Sequence, residues 1–248
     1  MNLVIIDGLS YALPLLIIAI GGIYSERSGI TNLALEGMLG MGAFTGGLFV
    51  ALFGDSFAAG SNAPMAFAFL FAAIGGGIYA MLHALLCIKF RANQVISGVV
   101  INILSVALTG FLTNQINMSV FGTSSNKFPL SVSPRITVPG LSDIPVLGAV
   151  FTNFYPFEVL ILILFGIMWY LLYRTRFGLR LRACGDNPHA VDAAGVDVGR
   201  IRFQAVAVCG ALSGLGGICF AYSISAQFSP SIYMGYGYLS IAALIFGN

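Results

Sequence analysis

Residues 174–202 read Arg174-Thr175-Arg176-Phe177-Gly178-Leu179-Arg180-Leu181-Arg182-Ala183-Cys184-Gly185-Asp186-Asn187-Pro188-His189-Ala190-Val191-Asp192-Ala193-Ala194-Gly195-Val196-Asp197-Val198-Gly199-Arg200-Ile201-Arg202. This stretch holds six of the chain's eleven basic residues: Arg174, Arg176, Arg180, Arg182, Arg200 and Arg202. Long apolar runs flank it on both sides. Asn187 can cap a helix through its side-chain oxygen, and Pro188 falls at the first helical position, where the missing N–H is no loss. Gly195 suits the left-handed position that ends a helix. The stretch therefore reads as a short capped helix on a basic surface between two membrane-crossing segments. A chain so poor in polar residues has little use for such a helix unless something docks on it. Val191 and Ala194, three apart on one helical face, are the candidates for that contact.

The rest of the chain explains why this island stands out. It is 58% hydrophobic and 8% charged, with a mean hydropathy of +0.94, whereas a soluble domain carries about 25% charged residues. The expected fold is all-α, a polytopic transmembrane helical bundle. A bilayer core of ~30 Å needs ~20 apolar residues per helix. About seven segments qualify, at roughly 9–24, 33–53, 64–88, 95–118, 157–173, 203–223 and 235–247. The sequence stops at Asn248, directly after the last of these, in the middle of what reads as an apolar span, as a truncated sequence would. Residues 1–248 read as a single transmembrane domain with a cytoplasmic loop at about 174–202 and an outer loop at about 119–156. The 31 glycines suit close helix packing in a membrane, with Gly42-xxx-Gly46 and Gly210-xxx-Gly214 as the obvious spacings.

Charge placement sets the orientation. If the island is cytoplasmic, alternating the spans puts the 25–32 turn (Arg27) and the 89–94 turn (Lys89, Arg91) on the same side. Nine basic residues then lie inside and two, Lys127 and Arg135, outside. Positive charge collects on the cytoplasmic side of such proteins, so this orientation is expected, with the N-terminus outside. No Lys or Arg precedes Arg27, so no basic n-region of a signal peptide is present. Pro129, Pro134, Pro139, Pro145 and Pro156 break up the outer loop, which should form short extended or re-entrant pieces. The net charge of +2 gives no indication of nucleic acid as a partner.

Two segments do not look like ordinary spans. Residues 29–42 and 235–247 both begin with polar or Gly-rich sequence and run into an apolar helix, one in each half of the chain. Glycine-interrupted segments of this kind point to a central transport path. Glu36 lies in the first of them, after Asn32. An acid in an apolar helix usually faces a cavity or a partner, so Asn32 and Glu36 are candidates for the path or for bracing its helices. Asn102, Thr109, Asn114 and Asn117 make the fourth segment more polar than lipid contact tolerates. Asn102 joins the path candidates, with ordinary interhelical hydrogen bonds as the alternative; Ser97, Asn102 and Ser105 do not fall on one clean face. Tyr222, Phe228, Tyr233, Tyr236 and Tyr238 read as an outer interfacial belt, with stacking on aromatic or sugar ligands as the alternative.

Enzyme chemistry finds little support. Cys87, Cys184, Cys209 and Cys219 form no CxxC pair and read as packing residues. His83 and His189 lack partners at ligand spacing, so no metal and no cofactor are expected. Walker A, GxSxG and HExxH patterns are absent from the sequence, and any ATP hydrolysis would have to come from another polypeptide.

The run Gly22-Ile23-Tyr24-Ser25-Glu26-Arg27-Ser28-Gly29-Ile30-Thr31-Asn32-Leu33-Ala34-Leu35-Glu36-Gly37-Met38 resembles the N-terminal signature of permeases of ATP-binding-cassette importers. The run Phe177–Pro188, followed by Ala193-Ala194-Gly195-Val196, resembles their cytoplasmic coupling loop. That superfamily handles branched-chain amino acids, simple sugars and nucleosides, and the Asn-Leu-x-Leu-Glu-Gly-Met form at 32–38 is most similar to the nucleoside-type branch. The resemblance covers residue 8 or so to the last residue. Family members usually continue for several more spans. It implies a multi-pass cell-membrane permease paired with a second permease subunit, the same or related. Two cytoplasmic ATPase subunits and an extracytoplasmic substrate-binding lipoprotein would complete the assembly. Asn187, Pro188, Val191, Ala194 and Gly195 would then couple to the ATPase. A secondary transporter is the rival reading, with Glu36 and Glu158 as its deep acids; a membrane-embedded enzyme would need paired catalytic groups at one depth.

Overall fold

The computed structural model describes residues 2–58, 61–130, 135–137 and 154–247. Helices α1 (Asn2–Arg27), α2 (Leu35–Phe53), α3 (Ala63–Ala84), α4 (Gln94–Ile116), α5 (Pro156–Arg174) and α8 (Val198–Ile224) supply the length of the bundle. A π-type turn extends α3 through Lys89, and another extends α4 through Phe121. Among the described residues, these six are long and apolar enough to cross a membrane. The seventh apolar segment is different. Its helix, α9 (Tyr236–Phe246), is described over 11 residues and follows a left-handed glycine, Gly235, at φ +93°.

Helix α8 is the centre of the packing, against α1, α2 and α3. Lipid gives helices no hydrophobic reason to associate, so their backbones must approach closely. The glycine spacings do this. A Cβ on Gly42 would run into the backbone of Gly214, and one on Gly214 into the Ala72 carbonyl and Gly76. A Cβ on Gly210 would meet the Gly76 carbonyl. Gly42, Gly76, Gly210 and Gly214 thus form one contact where three helices meet.

The loops collect at two ends. At one end the Thr31 amide donates to Gln94 Oε1 at 2.7 Å, and Arg202 Nε donates to the Ser28 carbonyl at 3.0 Å. The 25–32, 89–94 and 174–202 connections therefore share a face, and it is the basic one. At the other end β1 (Phe128–Pro129) pairs antiparallel with β2 (Gln227–Phe228), Phe128 opposite Phe228. Asp55, Asn117 and Lys127 line one cavity of about 470 Å³ there. This is the alternation that the charge pattern requires. In the outer loop, Ile136 and Phe154 exchange backbone hydrogen bonds; Pro134, Pro139 and Pro145 lie outside the described residues.

The aromatic belt expected at the outer edge is not one. Phe228 and Tyr233 are fully buried, Tyr222 is nearly so, and Tyr236 stacks on Phe220 with ring centroids 4.4 Å apart. The reason is that the chain after β2 turns back into the bundle instead of running along its surface. Tyrosine is tolerated there because its hydroxyl finds partners, Thr109 for Tyr233 and Asn102 for Tyr238.

Candidate functional site

Two broken helices meet inside the bundle. Residues 30–34 enter without helical structure, and α2 begins only at Leu35. Asn102 lies eight residues into α4, about 12 Å from its start, and it binds this entry twice. Its Oδ1 accepts from the Gly37 amide at 2.7 Å, and its Nδ2 donates to the Leu33 carbonyl at 2.8 Å. The Gly37 amide is one of the four that a helix start leaves without an internal partner. Asn102 therefore serves as a cap for α2 supplied from another helix.

From the opposite side, the chain descends from β2 past Tyr233, whose ring packs on Gly40 of α2. It turns at Gly235, at φ +93°, a left-handed conformation that glycine adopts without strain. There α9 starts. The Gly235 amide donates to Glu36 Oε2 at 3.0 Å, and the Tyr238 amide also faces the carboxyl group. Gly237 touches the backbone of Glu36 so closely that a Cβ would collide with it. Helix α9 then runs toward the basic face, where Gly247 lines a cavity with Glu26 and Arg27. The starts of α2 and α9 thus cross at Glu36, and an acid at the start of a helix is electrostatically favourable.

Of the path candidates, the structure brings Glu36 and Asn102 together and turns Asn32 away. Asn32 Oδ1 accepts from the Ala34 amide at 2.9 Å, while its Nδ2 points to Cys209 Sγ on α8 at 3.2 Å. It shapes the break before α2. Asn102 Nδ2 also reaches the Tyr238 hydroxyl at 3.0 Å. Below Asn102, Ser105 Oγ donates to the Gly37 carbonyl at 2.8 Å, and Thr109 and Thr113 continue the row. Ser97, Asn102, Ser105, Thr109 and Thr113 are all buried on one side of α4. Ser97, Asn102 and Ser105 spread over a wide arc of α4, as their spacing requires, and the whole arc is buried. His83 is buried with Nδ1 3.0 Å from Ser97 Oγ. Sequence reasoning missed Thr113, and it placed Tyr233 and Tyr238 in an interfacial cluster instead of beside Asn102 and Thr109.

On the basic face, Thr175 caps α6 (Arg176–Asp186) and Asn187 caps α7 (Pro188–Ala193), its Oδ1 accepting from the Ala190 amide at 3.1 Å. Pro188 is the first residue of α7 and Gly195 has φ +76°. An apolar groove of about 410 Å³ runs between the two helices, lined by Leu179, Ala183, Ala190, Val191, Ala194 and Val196 among others. Val191 is only 7% exposed and forms its floor, whereas Ala194 is open on its rim. The Cys184 thiol lies on the buried side of α6, and burial pushes its pKa up; nearby Arg202 pulls it partly back.

Residues 4–248 match the family described as branched-chain amino acid transport system / permease component. The chain belongs to this permease family. The guanosine ABC transporter permease protein NupQ of Bacillus subtilis is 39% identical over 100% of this chain and 76% of its own length. The nucleoside ABC transporter permease protein NupC of Lactococcus lactis is 38% identical with the same coverage. The putative glucose ABC transporter permease protein TsgC13 of Haloferax volcanii is 31% identical over 96% of this chain and 68% of its own. No solved structure matches. The chain is a multi-pass permease subunit of the ABC class in the cell membrane, and such permeases work with ATPase and substrate-binding partners. Its capped loop and the crossing of α2 and α9 are therefore features of a transporter subunit.

Proposed function

We propose that this permease imports nucleosides, and that the crossing of α2 and α9 at Glu36 and Asn102 forms part of its translocation path. The substrate class rests on the two nucleoside-type relatives, similar over the whole chain. The path rests on one observation: Glu36 and Asn102, both buried, hold the starts of two broken helices together inside the bundle. Helices that begin inside a bundle after a glycine-interrupted, non-helical entry are where transporters place their substrate sites. Tyr233 and Tyr238 supply aromatic faces and hydroxyls beside it, groups suited to a flat base and a polar sugar. Residues 1–248 act as a single transmembrane domain in this reading. The assembly comprises two permease subunits, the same or related, two cytoplasmic ATPases and an extracytoplasmic binding lipoprotein. Asn187, Pro188, Val191, Ala194 and Gly195 build the surface that the ATPase grips, with Val191 as the floor of the groove and Ala194 at its rim.

The test is substrate-stimulated ATP hydrolysis by the reconstituted complex. Guanosine or another nucleoside should stimulate it and glucose should not. Stimulation by glucose alone would move the substrate to the sugar class, the second reading that the Haloferax volcanii relative favours. Ala194→Asp should put an unpaired charge at the rim of the apolar groove and abolish both ATPase co-purification and stimulation, because small interfaces concentrate their energy in a few residues. Retention of both at wild-type level would remove this loop as the coupling element.

A further inference from the structure

Four aromatic rings lie between the crossing of α2 and α9 and the outer end of the bundle. Phe44, on α2, is 5.8 Å from Phe228 and 6.0 Å from Phe128, centroid to centroid. Phe128 stacks on Phe228 at 6.1 Å, and Phe228 on Tyr233 at 6.3 Å. Phe128, Phe228 and Tyr233 are fully buried, and Phe44 is nearly so. Neighbouring helices set their order. Tyr233 packs on Gly40, and Phe228 on Gly47. Gly40, Phe44 and Gly47 follow Glu36 along α2 by about 6, 12 and 16 Å at 1.5 Å per residue. The same order holds beside α4. Asn102 is at the crossing, Thr109 Oγ1 is 3.4 Å from the Tyr233 hydroxyl, and Asn117 begins the turn at the outer end. The rings thus form an apolar block on the outer side of the polar crossing.

Three of the four rings come from chain that is not helical. A core that only packs membrane helices is filled from the helices, which leave no backbone group to satisfy. The strands that carry Phe128 and Phe228 have two residues each. The first strand is anchored: Asn117 Nδ2, at the end of α4, donates to the Ser125 and Lys127 carbonyls at 2.6 and 3.0 Å. The second belongs to a segment that carries both Phe228 and Tyr233 and is bounded by two left-handed residues, Ala226 at φ +48° and Gly235 at φ +93°. Ala226 is strained there by its Cβ, and its carbonyl accepts from the Leu130 amide beside the anchored strand at 2.9 Å. Hinged segments turn on a few such residues, which absorb large φ/ψ changes. At the inner end, the Gly235 amide donates to Glu36, so the segment runs from a strained turn to the carboxylate of the crossing.

We propose that Phe128, Phe228 and Tyr233, closed on Phe44, are the outer gate of the translocation path, and that residues 226–235 swing away from β1 to open it. The gate rests on the reading that the path passes Glu36 and Asn102. Closed, the rings keep water from the crossing, as apolar constrictions do. Opening breaks the short ladder between β1 and β2 and lifts Phe228 and Tyr233 from Gly47 and Gly40, which present no side chain to hold them. A solute that takes the Glu36 carboxylate from the Gly235 amide releases the segment at its inner end.

Residues that are merely packed can be tied together without consequence, whereas a gate cannot. Pro129 and Gln227 are opposite each other in the β1–β2 pair, within the reach of a disulfide, and neither is one of the four rings. The four native cysteines are first replaced. In the reconstituted complex, Pro129→Cys with Gln227→Cys should take up labelled guanosine when reduced, lose uptake on oxidation with copper phenanthroline and regain it with dithiothreitol. Equal uptake by the oxidised and reduced protein overturns the gate and leaves the nucleoside reading intact. A second measurement needs no cargo. Thr109→Cys, on the inner side of the block, should react slowly in intact cells with a membrane-impermeant methanethiosulfonate. Adding Phe228→Ala should speed that reaction about tenfold, because a constriction excludes water only while its rings are in place. An unchanged rate in protein that still assembles with its ATPases also overturns the gate. If Phe228→Ala does not assemble, the cross-linked pair decides. Faster labelling in a permease whose reduced cysteine pair takes up no guanosine supports the gate and removes the nucleoside reading instead.

Discussion

An acid at position 36 is sustainable inside a bilayer because two backbone amides at the start of α9 need an acceptor there. Gly235 and Tyr238 provide them, and Glu36 is only 7% exposed. Glu36→Gln keeps the shape and one acceptor oxygen but loses the favourable placement of an acid at a helix start, worth about 1 kcal/mol. The purified variant should melt a few °C lower with normal assembly, and its transport should fall sharply. Full transport would show that the acidic group has no essential role. Asn102→Leu should do more damage, because it leaves the Gly37 amide and the Leu33 carbonyl unpaired, at about 1–3 kcal/mol each. Its check is the yield of monodisperse protein, and Asn102→Asp, which can still accept from Gly37, should recover part of it. The sequence makes Glu36 and Asn102 conspicuous as polar groups in apolar segments. It does not make their meeting visible. Glu36 and its Gly235 partner are 199 positions apart, and Asn102 and Tyr238 are 136 apart; local pattern carries no information at that range.

At the scale of elements, what was legible depended on whether the determinant was local. Caps are local: Asn187 and Pro188 start α7 and Gly195 ends it where the sequence places them. Spans are local too, since length and hydropathy define them. The late starts of α2 and α9 were visible only as interruptions, because where a glycine-rich run becomes helical depends on what it packs against. The same limit applies to the tyrosines, which composition places at an interface and which the re-entrant segment carries inward. Glycine spacing lies between these cases. Gly210-xxx-Gly214 and Gly42 do mark contacts, but Gly76, which Gly210 and Gly214 share, emerges only in three dimensions. Gly214→Val would drive a branched side chain into the Ala72 carbonyl and Gly76. Because α8 packs on α1, α2 and α3 at once, relief in one direction creates a clash in another. The expected outcome is loss of nearly all folded protein in the membrane fraction. Ser61→Val, in the outer connection before α3, is the matched control and should accumulate normally. Normal accumulation of Gly214→Val would mean that this contact does not organise the bundle.

For the whole molecule, every function assigned here depends on which end faces the cytoplasm, since a docking groove is useful only on the side where ATP is. Two independent features agree on that orientation. Nine of the eleven basic residues fall on one set of connections, and those connections are brought to one face by contacts such as Arg202 to Ser28 and Thr31 to Gln94. The two residual basic residues sit apart from them: Lys127 shares a cavity with Asp55 and Asn117 at the opposite end, and Arg135 reaches Tyr155 just before α5. A positive loop resists export, so the basic face should be cytoplasmic. Single cysteines test this directly. The four native cysteines are all buried, and replacing them removes background labelling. A cysteine at exposed Asp186 should react with a membrane-impermeant maleimide only after the cells are opened, while cysteines at Asp55 and Lys127 should react in intact cells. Labelling at 186 from outside would invert the topology. It would then place the capped helix and the α6–α7 groove on the side without ATPase, and both assignments would fail together.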